Sequence, residues 1–583
     1  MPESIQVLQV QLLGGRVSTP AVNCEIALAR VATATLAFFI GVVLTIKSKY
    51  CTNIVVPIAM ERMVKIVKPL ISSAFEEVFG LLPITMRKLR AWFFFVFKFL
   101  DHPHHSEARG YDFENSEDFL FLPEIHSAKK HIYHESVSVA CFAAVLFIAA
   151  VVALHLTFDF STLAIVSGAI ALFYFTFVIF KLYVVYKGAH YPLISFSKEE
   201  IDALGTDVPM YTVFIPLLNE AEVIPQIAEA MTSIDYPKEK IEYIITLEEY
   251  DHATLDAIKA VNLPDNFRVL ILPDTKPKTK PKALNVALSH AKGQYVVIYD
   301  AEIIPDADQL KKAVLAFRAH PNIGALQVRL DHYNADQNIL TKLFNAEFAF
   351  YYDLFLPGLQ KLGFPIPLSG HSTHFRMDAL KDMGAWDPYN VTEDCDIGMR
   401  LHRKGYGVGM LDSVSLEEAT STLDSWIPQR TRWMKGFIQT SIVHLRHPFR
   451  FKKEIGGWIN FMAFLYIVPG TIILNLLNFL AWITQFVWFT TEASFIQRLY
   501  PPAILYFSVF SFLVGNFAFM YMNLLAVYRR KRYGLIKYVL LTPLYWVLLA
   551  IATVRAAKQM IRSPHSWEKT KHGSHLRRKE ASA

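Results

Sequence analysis

The chain has 583 residues, of which 53% are hydrophobic and 14% aromatic, and its mean hydropathy is +0.28. This composition is too apolar for an ordinary soluble protein and predicts several membrane passes together with a soluble part. The net charge of +6 is mild, and basic clusters border hydrophobic blocks, which favours contact with anionic lipid over nucleic-acid binding. Four scattered cysteines without metal-type spacing argue against a disulfide framework or a zinc site.

Three hydrophobic stretches near the N-terminus are long enough to span a bilayer, which takes about 20 apolar residues. They are Glu25–Ile46, Val137–Phe158 and Leu163–Tyr186. The segment between the first two contains basic clusters, so we expect it to face the cytoplasm. Three passes then put the residues after Tyr186 on the cytoplasmic side. Residues 1–186 are therefore predicted to form an N-terminal membrane region with a cytoplasmic amphipathic segment.

Residues 187–454 have the pattern of a soluble α/β domain. Short β-rich runs alternate with amphipathic stretches, among them YTVFIPLL, IEYIITLEE, FRVLILPD, QYVVIYDAE and GALQVRLDHY. This alternation predicts a mostly parallel sheet covered by helices. Sheets of this kind bind ligands beyond the carboxyl ends of their strands, and most of these ends carry acidic residues here. The sequence thus predicts a cleft lined by carboxylates.

Residues 455–560 hold three further hydrophobic blocks, and residues 561–583 form a basic tail. The blocks are Trp458–Phe489, Ala503–Val527 and Tyr538–Ala556. The basic loop RRKRYG between the last two is expected in the cytoplasm. Three single passes would leave the basic tail outside, against the positive-inside rule. Because the first block contains VPG at Val468–Gly470, we expect one block to be double or re-entrant and the tail to be cytoplasmic.

Several polar residues at strand ends are candidates for chemistry. Asp300 and Glu302 follow a β-run and could hold a divalent cation, although strand-end turn chemistry is the alternative. Lys280 precedes them in a basic loop, where an ammonium can contact phosphate or simply be solvated. Glu248 and Glu249 end the second strand, where a carboxylate could bind a nucleobase or ribose or face solvent.

Two later motifs are also candidates: the first supplies acidic side chains and the second a cationic one. In TED, residues 392–394, a carboxylate could act as general base, or Thr392 could cap a helix whose first turn favours the acids. In WIPQRTRWMKG, Gln429, Arg432 and Trp433 are spaced i, i+3 and i+4 and share one helix face. A guanidinium there can bind a diphosphate and an indole can stack on a sugar, whereas a membrane-interface helix is the alternative.

The order and spacing of these motifs resemble the processive family 2 glycosyltransferases with a GT-A fold, which include cellulose, curdlan, mixed-linkage glucan and hyaluronan synthases. The resemblance covers about Met210–Arg446 as motifs and the flanking helices as architecture. TED together with Q-x-x-R-W at this separation is specific, whereas a D-x-acid pair alone is not. The resemblance implies a cytoplasmic GT-A (Rossmann-like) α/β catalytic domain inserted between N- and C-terminal transmembrane helix bundles.

The resemblance also implies roles for individual residues. Asp394 is implied as the catalytic base, and Asp300 and Glu302 as ligands of Mg²⁺ or Mn²⁺. The implied donor-binding residues are Glu248, Glu249, Lys280, Asp300 and Arg432. The implied acceptor-binding residues are Gln429, Arg432, Trp433, Glu393, Gly370 and His371.

Two departures from the family pattern bear on the donor. The metal motif is D-A-E rather than D-x-D, and the first acidic pair is Glu-Glu rather than Asp-Asp, which leaves the identity of the nucleotide less secure. A tail motif, WEKTKHG from Trp567 to Gly573, is similar to tails of related bacterial enzymes, but no role follows from it.

The resemblance implies an inverting enzyme that polymerises a UDP-sugar, with glucose favoured, into an exported β-linked polysaccharide. It would work in the bacterial inner (plasma) membrane with a growing glycan as acceptor, no nucleic acid, and accessory export subunits as further partners. A non-processive enzyme that makes a glycolipid or lipid-linked sugar is one alternative. A non-enzymatic receptor or export scaffold is another, but a scaffold needs neither base nor metal pair.

Overall fold

The structure is a computed structural model and describes residues 161–568 apart from 275–276, 492–495, 497–499 and 501. All described residues belong to one compact unit of the chain. The predicted spans Glu25–Ile46 and Val137–Phe158, the basic segment between them and the tail beyond residue 568 lie outside the described residues. The domain boundaries given above stay predictions.

Eight described strands form one sheet. They are β1 (Tyr211–Leu217), β2 (Ile241–Glu248), β3 (Phe267–Leu272), β4 (Tyr295–Ile298), β5 (Ile304–Pro305), β6 (Ile323–His332), β7 (Thr373–Arg376) and β8 (Gly407–Glu417). Their order is β3-β2-β1-β4-β7-β6-β8-β5. The pairs β1–β2, β2–β3, β1–β4 and β6–β8 are parallel, whereas β4–β7, β6–β7 and β5–β8 are antiparallel. The α/β prediction is confirmed, and the sheet is more mixed than expected.

Both faces of the central strands are buried. On β1, Val213 and Ile215 belong to one apolar cluster, while Phe214 between them belongs to a second cluster on the opposite face. Successive side chains of a strand point to opposite faces, so continuous apolar runs such as YTVFIPL are required where helices cover the sheet on both sides.

Helices of the soluble domain lie before, between and after these strands. They are α2 (Lys198–Ala203), α3 (Ile224–Thr232), α4 (His252–Ala260), α5 (Lys280–His290), α6 (Gln309–Ala319), α7 (Ile339–Phe350), α8 (Leu356–Leu362), α9 (Met377–Asp382), α10 (Glu393–Arg403), α11 (Leu423–Leu445) and α12 (Pro448–Glu454). A π-helical turn, Tyr351–Phe355, joins α7 to α8. The parallel strands β1, β2 and β4 end at one edge of the sheet, which is where a ligand is expected.

Four described helices are long and apolar enough to cross a membrane. They lie in α1 (Ser161–Ala189), α14 (Pro469–Thr491), α15 (Pro502–Arg529) and α17 (Thr542–Arg562). Two shorter helices, α13 (Trp458–Ile467) and α16 (Ile536–Val539), accompany them. The block Trp458–Phe489 is thus two helices divided at Val468, as its VPG sequence indicated. Pro469 has no backbone N–H to donate to the preceding turn, and its ring clashes with that turn, which explains the break.

Buried ion pairs join the soluble domain to the membrane helices. Arg430 on α11 donates both terminal nitrogens to the carboxylate of Glu347 on α7, at 2.9 and 2.6 Å. The hydroxyl of Tyr545 on α17 donates to the same carboxylate at 2.7 Å. Just after α15, Arg530 makes a two-point contact with Asp353 at 2.7 and 2.8 Å. Paired guanidinium–carboxylate contacts fix orientation as well as distance, so they hold the soluble domain in a fixed orientation relative to the membrane helices.

Candidate active site

A cavity lies at the carboxyl edge of β1, β2 and β4. Five of the predicted site residues line it: Glu248, Lys280, Asp300, Glu302 and Arg432. The other lining residues are Pro216, Leu217, Leu218, Glu220, Tyr250, Leu272, Lys278, Thr279, Ala283, Ala301 and Trp567. The cavity therefore combines carboxylates with three cationic side chains and a pair of aromatic rings, which suits a ligand with both anionic and polar parts.

Lys280 links two parts of the site. It is the first residue of α5, and its Nζ lies 2.5 Å from Oδ1 of Asp300 and 2.7 Å from the carbonyl oxygen of Gly370. Its side chain is largely buried, with 13% exposed. These bonds hold the ammonium at the cavity wall, where it can contact a phosphate oxygen.

Asp300 and Glu302, the acids of the D-A-E motif, both line the cavity just after β4. Glu302 is buried, and Asp300 is half-buried beside Lys280. Among the described residues no group of three or more histidine, cysteine, aspartate or glutamate side chains has the arrangement of a metal site. Mg²⁺ commonly takes one or two protein carboxylates and completes its shell with water and substrate phosphates. Two cavity-lining carboxylates fit that mode of binding, so the assignment of Asp300 and Glu302 as metal ligands stays a prediction consistent with the chemistry.

The two glutamates at the end of β2 differ. Glu248 is buried, its Oε1 lies 3.7 Å from Nζ of Lys282, and its Oε2 is buried without a hydrogen-bond partner. Burial raises the pKa of Glu248, and Lys282 opposes that rise. Glu249 is exposed and is not among the residues that line the cavity. Because Glu248 lines the cavity and has an acceptor oxygen without a partner, it is the better placed of the two for binding a donor.

The acids of the TED motif occupy the first turn of α10. Thr392 takes the N-cap position, but its hydroxyl makes no capping bond, contrary to the capping alternative considered above. Burial and the neighbouring charge of Asp394 raise the pKa of Glu393 to about 7. Burial also raises the pKa of Asp394, against the opposing effects of the Cys395 backbone N–H, Lys280 and Arg432. A carboxylate with a raised pKa is a stronger base, as general-base chemistry requires.

Gly370 and His371 lie beside Asp394. A β-carbon built on Gly370 would lie 3.0 Å from Oδ2 of Asp394, so the glycine packs directly against the carboxylate. His371 follows, and its Nε2 lies 3.1 Å from Oε2 of Glu417. Burial disfavours the charged imidazole, but the carboxylate of Glu417 outweighs this and raises the pKa of His371 to about 9.

The side chains of the three Q-x-x-R-W residues on α11 lie in different surroundings. Arg432 lines the cavity, whereas Gln429 is buried and accepts a hydrogen bond from the hydroxyl of Thr420 at 3.3 Å. The indole of Trp433 stacks on Phe348 and on the guanidinium of Arg430, away from the cavity lining. Of the three residues, the structure brings Arg432 alone to the cavity, and an acceptor-binding role for the other two stays a prediction.

Sequence reasoning left the role of Trp567 open, and the structure brings this residue into the cavity lining. The guanidinium of Arg432 lies 5.6 Å from the centre of its indole ring. The segment before it is held by α11, since Lys435 donates to Ser566 and the amide of Gln439 donates to the carbonyl of Pro564 at 3.0 Å. The WEKTKHG tail motif was the signal, but nothing local in it indicates a contact across more than a hundred residues.

Parts of this chain are similar to known proteins. Residues 295–554 match a family model described as "Glycosyl transferase family group 2". The chain is similar to the probable glycosyltransferase YdaM of Bacillus subtilis (strain 168), with 26% identity over 253 residues that cover 42% of the chain and 60% of that protein. The chain therefore spans about 60% of the length of this relative.

The solved structures to which this chain is similar match it at low sequence identity and low TM-score. The mannosyltransferase PcManGT from Pyrobaculum calidifontis, in complex with GDP-Man and Mn²⁺, is 19% identical with a TM-score of 0.39, over 60% of this chain and 97% of that chain. TarS residues 1–349 of S. aureus, in complex with UDP-GlcNAc, is 16% identical with a TM-score of 0.33, over 55% and 92%. The family match, together with the mixed sheet, confirms the expected GT-A-type α/β domain, and the match over residues 295–554 supports the expected enzyme class, a family 2 glycosyltransferase.

Proposed function

We propose that the protein is an inverting membrane glycosyltransferase that polymerises a nucleotide-activated sugar, UDP-glucose, into a β-linked polysaccharide and exports it. The observation that carries the proposal is the position of Lys280. Its ammonium joins Asp300, at the end of β4, to the carbonyl of Gly370, whose α-carbon packs against Asp394. Gly370 therefore contacts both the cation that binds the donor and the base with a raised pKa.

The cavity supplies the donor site in this proposal. Glu248 offers a buried carboxylate oxygen to the nucleoside, and Lys280 and Arg432 offer positive charge to the diphosphate. Trp567 adds an aromatic ring to the cavity lining, beside Arg432. A Mg²⁺ or Mn²⁺ ion held by Asp300 and Glu302 would neutralise diphosphate charge when bound.

Asp394 acts as the base. Its carboxylate accepts the proton of an acceptor hydroxyl while that oxygen attacks C1 of the sugar from the face opposite the diphosphate. The bond between C1 and the diphosphate oxygen breaks, the electron pair leaves with the nucleoside diphosphate, and an α-linked donor gives a β-linkage. Lys280 and Arg432 stabilise the charge that develops on the leaving group, since preorganised cations act most strongly in a site that excludes water.

A second cavity, of about 160 Å³, supports export. It lies among α1, α7, α11, α14, α15 and α17, and its polar lining includes Lys181, Glu347, Asn475, Asn478 and Asn523. Met434 on α11 also lines it and lies next to Trp433. Polar side chains inside a membrane bundle are costly and mark paths for polar substrates. A glycan that leaves the base along α11 would enter this cavity.

The proposal includes a bacterial plasma membrane location with the catalytic domain in the cytoplasm, where nucleotide sugars occur. The growing glycan is the acceptor, and the bilayer is the second partner, in keeping with the four membrane-length helices. Accessory export subunits remain part of the proposal as partners for a polymer that crosses a cell envelope.

The test uses purified full-length protein in vesicles with a panel of UDP-sugars and Mg²⁺ or Mn²⁺. Release of UDP and the size of the labelled product are measured for the wild type, Asp394→Asn and the surface control Asp256→Asn, whose side chain is 76% exposed. The proposal predicts UDP release and a long product from UDP-glucose, both lost in Asp394→Asn alone. Label that is only lipid-extractable would instead establish a glycolipid-forming enzyme, and folded protein that turns over no donor would contradict the proposal.

A further inference from the structure

The π-helical turn Tyr351–Phe355 owes its shape to the proline that follows it. Pro357 has no N–H to offer the carbonyl four residues earlier, that of Asp353, and its ring clashes with that carbonyl. The backbone N–H of Leu356 bonds instead to the carbonyl of Tyr351, five residues earlier, so the turn is wider than an α-helical one. Turns of this kind are rare and occur frequently at functional sites.

Two consecutive tyrosines of this turn bind the segment that precedes Gly370. The hydroxyl of Tyr351 donates to the carbonyl of Pro367 at 3.3 Å, and the hydroxyl of Tyr352 forms a hydrogen bond with that of Ser369. Tyr352 is buried. The turn therefore holds residues 367 to 369 at both ends.

The turn is itself fixed by the membrane helices. Arg530, just after α15, donates to both carboxylate oxygens of Asp353 at 2.7 and 2.8 Å, and both side chains are largely buried, with 8% and 10% exposed. The ammonium of Lys181 on α1 lies 3.7 Å from the centre of the Phe355 ring. The same turn is thus joined to α1 and to the end of α15, while its tyrosines reach the segment before Gly370.

That segment leads directly to contacts of the active site. The carbonyl of Gly370 accepts a hydrogen bond from Nζ of Lys280 at 2.7 Å, and a β-carbon built on Gly370 would lie 3.0 Å from Oδ2 of Asp394. The backbone just beyond is strained, since Ser372 has a φ of 54°. A residue other than glycine keeps such a conformation only where the surrounding structure holds it. The bond from Tyr352 to the residue before Gly370 is one of the contacts that can do so.

We propose that Tyr352 is a positioning residue, which holds Ser369 and Gly370 so that the Gly370 carbonyl keeps the ammonium of Lys280 directed at the diphosphate of the donor. The inference rests on the proposed function and deepens it by naming a residue outside the cavity on which donor binding depends. The bland alternative is that Tyr352 fills the core, where its ring lies 5.4 Å from that of Phe348. Tyr352→Phe separates the two, because it keeps the ring and removes the hydroxyl alone.

The test compares Tyr352→Phe, Ser369→Ala and the double variant with the control Tyr243→Phe. Tyr243 is also buried, its hydroxyl donates to the carbonyl of Met231 at 2.7 Å, and it is not among the residues that line the cavity. The full-length protein is kept in vesicles with UDP-glucose and Mg²⁺. Three quantities are measured: the affinity for UDP, kcat/KM for UDP-glucose, and the temperature of thermal unfolding, which shows whether each variant is folded.

The proposal expects the affinity for UDP and kcat/KM to fall about fivefold in each single variant, the factor expected for loss of one hydrogen bond. The double variant falls no further, because both substitutions remove the same bond. Tyr243→Phe unfolds at a lower temperature and keeps wild-type UDP affinity and kcat/KM.

Wild-type UDP affinity and kcat/KM in Tyr352→Phe would overturn the proposal and leave the tyrosine a packing residue. Losses that multiply to about 25-fold in the double variant would overturn it too, because the hydroxyl would then act other than through Ser369. Wild-type protein that neither binds UDP nor releases it from UDP-glucose would contradict the proposed function and this inference with it. Failure of the inference alone is recognised by an active wild type.

Discussion

The contact between Gly436 and Thr392 gives a sharp test of how the base is positioned. Gly436 follows the Q-x-x-R-W residues on α11, and Thr392 precedes Glu393 and Asp394. A β-carbon on Gly436 would lie 1.9 Å from Oγ1, 2.4 Å from Cγ2 and 2.5 Å from Cβ of Thr392. Gly436→Ala therefore cannot be accommodated by rotating a flexible side chain, and α11 and the start of α10 have to separate.

The size of the effect follows from these distances. Real β-carbons essentially never approach another heavy atom within 3.0 Å, so the contact must open by about 1 Å. Overpacking of this kind destabilises a protein by about 1–3 kcal/mol. A displacement of a catalytic group by about 1 Å can lower a rate about 100-fold. We expect kcat of Gly436→Ala to fall by about that factor and the affinity for UDP to fall less, because Arg432 and Trp567 depend on α11 whereas most of the residues that line the donor cavity lie on other elements.

The assay measures UDP release under saturating donor, together with UDP binding and thermal unfolding. Gly534→Ala is the matched control, since a β-carbon there meets no atom within 4 Å. Combining Gly436→Ala with Thr392→Gly removes all three clashing atoms and should recover part of kcat relative to Thr392→Gly alone. Wild-type kcat in a folded Gly436→Ala protein would refute the idea that this contact sets the position of Asp394.

Three further predictions concern pH, the donor and stability. Asp394 must be unprotonated to act as base, and burial raises its pKa, so kcat/KM should fall with decreasing pH at a midpoint above the ordinary aspartate range. Glu393→Gln removes a neighbouring carboxylate and should move that midpoint to lower pH. A pH–rate profile with an unmoved midpoint would count against this. Trp567→Ala should raise KM for the donor about two- to tenfold with kcat retained, as steady-state kinetics would show, and an unchanged KM would remove the indole from the donor site. Glu347→Ala leaves the guanidinium of Arg430 buried without its carboxylate and should lower the free energy of unfolding by about 3 kcal/mol. Denaturant titration in detergent measures this, and the control Asp256→Ala, at an exposed ion pair, should have almost no effect.

The strands that carry the site were predictable because they are buried on both faces. YTVFIPLL and QYVVIYDAE are continuous apolar runs, and the structure has strands at Tyr211–Leu217 and Tyr295–Ile298. Parallel strands end at one edge, so Glu248 and Asp300 line the same cavity although they lie 52 positions apart in the chain. The antiparallel strand Thr373–Arg376 between β4 and β6 was not foreseen, because its pairing depends on distant segments that no local pattern reveals.

Helix periodicity gave only part of the Q-x-x-R-W geometry. Gln429, Arg432 and Trp433 do share one side of α11, but adjacent residues of a helix point about 100° apart. Arg432 consequently faces the cavity while Trp433 faces the aromatic rings of α7. Spacing identifies a face, and the neighbouring elements decide what each residue on that face contacts.

Long-range contacts account for what the sequence did not show. Trp567 reaches the donor cavity because Lys435 and Gln439 hold the segment before it, and no periodicity links these positions. Glu417 belongs to an acidic pair that looks like an ordinary strand end, and its two histidine partners come from β6 and from the residue after Gly370. Both features depend on packing between segments far apart in the chain.

The central claim is that one protein makes a β-linked glycan at Asp394 and passes it through the membrane helices. The most direct measurement uses sealed vesicles with the catalytic domain outside, supplied with labelled UDP-glucose and Mg²⁺, followed by a β-glucanase added from outside. The account predicts a long labelled product that resists the enzyme until detergent opens the vesicles, and no such product from Asp394→Asn. A product that is fully digested before detergent is added, or one that Asp394→Asn still makes, would contradict the account.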